Sequence, residues 1–223
     1  MSHIQQLAAT DGFTFSAYVA EPAGRPLGRL LILPEIFGVN SHIRSVADRY
    51  AAHGYLAVAP GMFDRVQPGL DLGYDEQDVR TGQALMRKLH WHEALLDLQA
   101  AAGCGGEIGG RTGIVGYCWG GTAAWVAASR AQGFACAVSY YGNAITTVMD
   151  ATPRIPMLLH WGAQDHLIRL EQIRAIETAA PGVESHVYPT GHGFNCDQRS
   201  LYHAESARIA EQRTLAFLQA HMA

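Results

Sequence analysis

Residues 13–20, FTFSAYVA, alternate apolar and polar positions, the two-residue period of an antiparallel strand with one buried face. A turn rich in Pro and Gly follows over 21–28, and beyond it the pattern changes. Arg29 to Pro34 (RLLILP) is an apolar run, residues 41–53 carry apolar side chains at helical spacing with Gly54 placed as a stop, and Tyr55 to Ala59 (YLAVA) is apolar again. This is a βαβ unit, and the theme recurs. Helices are predicted over 77–89 and 91–101, a strand over 112–117, a helix over 122–130 and a strand over 135–140. Then come a strand over 157–161, a helix over 170–179, a strand over 185–188 and a long helix from about Leu201.

Short, continuously apolar strands alternating with helices predict a mainly parallel central sheet with helices on both faces. Neither an internal repeat nor a linker interrupts the pattern, so residues 1–223 are expected to form one α/β domain. In such sheets ligands gather at the carboxyl ends of the strands. Residues 60–75 form a long loop, a feature that is often functional in compact domains.

Composition narrows the function classes. The 16 basic and 20 acidic residues alternate along the chain and leave no patch resembling a phosphate-backbone footprint, so nucleic acid is not an expected partner. No apolar segment approaches the roughly 20 residues needed to cross a bilayer, so no membrane is expected either. The four cysteines are widely separated and the first ten residues lack the apolar stretch of a secretory signal, which predicts reduced thiols and a cytoplasmic location. Among the eleven histidines, His90 and His92 are two apart and do not share a helix face, and HExxH and CxxC patterns are lacking; no metal is expected. The segment GCGGEIGG at 103–110 lacks dinucleotide-loop spacing and precedes a strand, so it reads as a loop.

Chemistry concentrates in three segments. Gly116-Tyr117-Cys118-Trp119-Gly120-Gly121 lies between the strand TGIVGY and the helix TAAWVAAS, the strand, nucleophile, helix order of a G-x-S-x-G elbow with cysteine in place of serine. A helix N-terminus there favours a thiolate and offers a backbone N–H to an oxyanion. Asp165 follows the strand MLLHW, and His192 sits in the Gly-bounded loop after VYPT, before the last helix. Nucleophile, acid and histidine in that order, each just past a strand, match an α/β-hydrolase. His192 would act as base and then acid, with Asp165 fixing its tautomer.

These segments, together with Pro34-Glu35-Ile36-Phe37-Gly38-Val39-Asn40 and Gly191-His192-Gly193-Phe194, resemble the dienelactone hydrolase family (carboxymethylenebutenolidases) of the α/β-hydrolase fold. The resemblance spans nearly the whole chain. It implies a hydrolase without metal or cofactor that opens a dienelactone to a maleylacetate-type product through an acyl-thioester on Cys118. It also implies that Glu35 stands beside the thiol and restrains it, since a carboxylate nearby disfavours a second negative charge. The backbone N–H groups of Ile36 and Trp119 would form the oxyanion hole. The small lactone or ester substrate would carry a carboxylate held by arginines, one matched by Arg80. The other falls at Cys196, which leaves Arg199, three residues on, as its replacement. Two other functions use the same residues: a general carboxylesterase or thioesterase, and a non-catalytic redox-sensing or binding protein in which Cys118 is only a reactive thiol.

Overall fold

Apolar runs with no polar side to offer water become the middle of a sheet. The computed structural model describes residues 1–222, and in it β3 (Arg29–Leu33), β4 (Leu56–Pro60), β5 (Thr112–Tyr117), β6 (Cys136–Tyr140) and β7 (Met157–Gly162) are buried at every position. They run parallel to one another, and β8 (Glu184–Tyr188) adds a parallel, half-exposed edge. The alternating segment is β2 (Thr14–Ala20), antiparallel to β4 as its pattern predicts. A strand that the apolar pattern did not flag, β1 (Ser2–Ala8), pairs antiparallel with β2 from Ser2↔Ala20 to Ala8↔Thr14. Its side chains are mostly exposed, so the backbone ladder holds it rather than a buried face. The eight strands follow the order β1-β2-β4-β3-β5-β6-β7-β8.

The helices are α1 (Ser41–Ala52), α2 (Glu76–Met86), α3 (Trp91–Ala101), α4 (Trp119–Arg130), α5 (Leu170–Ala179) and α6 (Ala204–Met222). Two consecutive residues of β6 show that both faces are covered. Ser139 stands against Gly121 of α4, while the Tyr140 hydroxyl lies 2.7 Å from Thr214 Oγ1 of α6. α1 begins where Asn40 accepts a hydrogen bond from the Ile43 N–H, and α2 where Asp75 accepts one from Asp78, both ordinary N-caps. α4 starts three residues earlier than its apolar pattern suggests, because the elbow leads into the helix without an intervening loop. Among the described residues no helix is long and apolar enough to cross a membrane.

Candidate active site

The turn from β5 to α4 holds Cys118 at φ 54° and ψ −114°, a left-handed conformation that costs a non-glycine residue about 1–3 kcal/mol. Two features hold it there. The Cys118 N–H donates to the Tyr140 carbonyl of β6 at 2.9 Å, and the Gly120 N–H donates to the Pro34 carbonyl at 3.1 Å. Gly116 lets the turn close, since a Cβ there would lie 1.9 Å from the Gly120 carbonyl oxygen. The result is a sulfur presented at the start of a helix, largely buried, at the carboxyl end of the central strand.

Asp165 and His192 arrive from neighbouring strand ends. Asp165 lies three residues beyond β7, where its Oδ1 accepts from the N–H groups of Leu167 (2.7 Å) and Ile168 (3.2 Å). Its Oδ2 faces His192 Nδ1 at 2.7 Å. A carboxylate oxygen in that position accepts, so Nδ1 carries the proton and Nε2 is left as the basic nitrogen. His192 Nε2 is buried and has no hydrogen-bond partner. Burial opposes an imidazolium here, but the Cys118 sulfur, once charged, and the bond to Asp165 outweigh it and raise the ring to about 10. Tyr141, itself at φ 42°, packs its ring edge-on against His192 with centroids 5.0 Å apart.

Cys118 and His192 line one cleft of about 270 Å³, together with Ile36, Phe37, Asn143, His166 and Arg199. α2 forms a wall through Val79, Gln83, Met86 and Arg87. A larger hollow, about 550 Å³, lies between Thr152–Met157 and Ala179–Glu184 and is lined by none of Cys118, Asp165 and His192. The N–H groups of Ile36 and Trp119 have no protein acceptor among the described residues. The Trp119 ring is clamped between Trp91, stacked at 5.7 Å, and Phe63 at 5.2 Å.

Glu35 is buried in the turn after β3, and its Oε1 accepts from Arg199 Nη1 at 3.1 Å. Its Oε2 has no partner. The Arg199 guanidinium lies over Gly193, where a Cβ would come within 2.6 Å of Nη1, and flanks the rings of Phe37 and Tyr74 at 5.8 and 5.7 Å. Burial works against its charge, and Glu35 holds that charge in place, raising the pKa.

Arg80 is not brought to the cleft. Its side chain is 63% exposed on α2 and pairs with Glu76 at 3.4 Å and Gln77 at 3.2 Å. Val79, Gln83 and Met86, at i, i+4 and i+7, form the stripe that faces the cleft, and Arg80 is turned about 100° away from it. The cation α2 does supply is Arg87, the residue capping its C-terminus. Arg87, Asn143 and His166 have no sequence signal of their own, because each reaches the site through the fold.

His42, Cys196 and Asp197 bring metal-ligand-type atoms within 4.8 Å of one another. Two of them are already joined, His42 Nδ1 to Asp197 Oδ1 at 3.1 Å, and burial followed by the charge of Glu35 pushes the Cys196 thiol up to about 11.

Residues 15–222 match the profile of the dienelactone hydrolase family. The chain belongs to that family. Its relatives include the carboxymethylenebutenolidases of Pseudomonas putida and Pseudomonas knackmussii, each 34% identical over 219 residues, which cover 93% of this chain and 92% of theirs. A crystal structure from Klebsiella pneumoniae, provisionally classed as a dienelactone hydrolase, is 30% identical with a TM-score of 0.81, covering 98% of this chain and 99% of that one. A dienelactone hydrolase-like promiscuous phosphotriesterase from metagenomic libraries shares the fold, with a TM-score of 0.74 at 18% identity over 100% of this chain and 99% of its own. As a member of the dienelactone hydrolase family, the protein is a hydrolase of ester or lactone bonds.

Proposed function

We propose that this hydrolase opens a carboxylate-bearing lactone of the dienelactone type by nucleophilic attack of Cys118. The observation that carries the reading is the convergence, in one cleft, of a strained Cys118, the unpartnered Nε2 of a His192 oriented by Asp165, and the half-buried guanidinium of Arg199.

His192 Nε2 takes the thiol proton, and Asp165 stabilises the imidazolium that forms. The sulfur adds to the lactone carbonyl, and the oxyanion is held by the N–H groups of Ile36 and Trp119, which are free to donate. When the ring C–O bond breaks, the imidazolium returns its proton to the departing oxygen. A water deprotonated by His192 then cleaves the thioester. Arg199 supplies the charge-assisted hydrogen bonds that a substrate carboxylate requires, and a substrate that takes Nη1 displaces Glu35 from it. While Glu35 remains an anion near the site it disfavours a thiolate, so this exchange couples substrate binding to activation of Cys118.

Turnover of a dienelactone, a neutral aryl ester and an acyl thioester, before and after alkylation of Cys118, tests the reading. The dienelactone is expected to be preferred, and alkylation to abolish all turnover. Good ester or thioester turnover without dienelactone turnover would replace the lactone by a general ester or thioester, and activity that survives alkylation would remove Cys118 from the chemistry.

A further inference from the structure

The loop that follows His192 is fastened to the first turn of α1 by two side-chain contacts. Ser41 Oγ donates to Gln198 Oε1 at 2.8 Å, and His42 Nδ1 lies 3.1 Å from Asp197 Oδ1. Cys196 joins the second contact, so that a ring nitrogen, a sulfur and a carboxylate oxygen all lie within 4.8 Å of one another. The loop is tightly wound, with the Cys196 N–H on the Gly193 carbonyl (2.9 Å) and the Arg199 N–H on the Cys196 carbonyl (3.1 Å), so it presents Cys196 and Asp197 from a fixed backbone.

Imidazole, thiolate and carboxylate are the side-chain ligands of zinc, and three of them with a fourth position left to water make a common tetrahedral arrangement. Magnesium and calcium take oxygen ligands and have no use for the sulfur. A nitrogen and an oxygen bound to one tetrahedral zinc, each about 2.0–2.2 Å from the ion, stand about 3.3–3.5 Å apart. The 3.1 Å between Nδ1 and Oδ1 is close to that spacing. His42 and Cys196 are fully buried while the Asp197 side chain is 47% exposed, so an ion has a route in past one ligand and a dry wall behind it. We infer that His42, Cys196 and Asp197 form a binding site for a zinc-type divalent cation, which locks the loop carrying His192 and Arg199 onto α1. The inference does not depend on the substrate proposed above.

The protons balance. At rest the sulfur is a thiol, because burial and then the charge of Glu35 push it up to about 11, against Tyr74, the Gln198 N–H and Arg199. Ligation breaks the S–H bond, forms a metal–sulfur bond and releases one proton to water; no electron is transferred. Asp197 Oδ1 accepts from His42, so the ring proton sits on Nδ1, and ligation there sends it to Nε2, a buried nitrogen to which no other group donates. A thiolate and a carboxylate then cancel the two charges of the ion, so the buried site carries no net charge. Of the surrounding charges, Glu35 favours a cation here and Arg49 and Arg199 oppose it.

Cobalt(II) is the probe, since it suits the ligand set of zinc and absorbs strongly when a thiolate binds it. The full chain carrying Cys118→Ala is titrated, so that the sulfur in the cleft cannot report. A single equivalent is expected to give the near-ultraviolet thiolate-to-cobalt band and the visible bands of a four-coordinate ion. Zinc should displace it and magnesium should not. Cys196→Ser in that background should abolish the ultraviolet band. Asp197→Asn, a change at a half-exposed side chain that leaves the core alone, and His42→Gln should each weaken cobalt binding by about tenfold or more. Circular dichroism on every variant checks that the fold is kept. Absence of the thiolate band at stoichiometric cobalt, a band that survives Cys196→Ser, or an affinity unmoved by Asp197→Asn would overturn the inference and leave the three residues as a hydrogen-bonded clasp.

Discussion

Arg199 and Glu35, 164 positions apart, share a 3.1 Å hydrogen bond in which the carboxylate is almost wholly buried and the guanidinium remains one-fifth exposed to the cleft. A cation that is satisfied by protein on one side and open on the other suits exchange of one carboxylate for another. Arg199→Ala is therefore expected to raise KM for a dienelactone far more than for a neutral aryl ester, by about 1.5–3 kcal/mol of lost charged hydrogen bonding. Steady-state kinetics on the two substrates measure the difference, and equal losses would mean that Arg199 only holds Glu35.

Arg80→Ala should change KM less than about twofold on either substrate. The side chain points to solvent and its pair with Glu76 is an exposed i, i+4 contact, the kind that contributes about 0.3–0.5 kcal/mol. A selective rise in KM for the carboxylate-bearing substrate would put Arg80 back at the site.

Cys118→Ala should abolish turnover while leaving the fold intact, because it removes the proposed attacking atom from a turn whose backbone is held by Gly116 and the Tyr140 carbonyl. Asp165→Asn should lower kcat by several orders of magnitude, since an amide that donates to Nδ1 selects the wrong imidazole tautomer. Circular dichroism alongside kinetics separates the chemical loss from unfolding. Activity within about tenfold of wild type for Cys118→Ala would remove the thiol from the mechanism.

The fold and the elbow that holds Cys118 were legible along the chain because both are written in short stretches. A strand buried on both faces reads as an apolar run of five or six residues, which is why β3 through β7 could be placed, whereas β1, with its side chains mostly in water, offers little pattern and is held by backbone pairing to β2. Cys118 announces itself because the elbow's steric demands fall on Gly116 and its neighbours within six residues. The order of Cys118, Asp165 and His192 was legible as well, since each follows its own strand. What the chain alone could not express is which side chains meet across those strand ends. Asp165 and His192 come within 2.7 Å because β7 and β8 are adjacent, Arg199 finds Glu35 across the sheet, and Arg87 rather than Arg80 borders the cleft because of how α2 is rotated and where it ends. Periodicity and steric need are local properties of a sequence, while the pairing of charges depends on distances between segments that only packing of the whole sheet brings together.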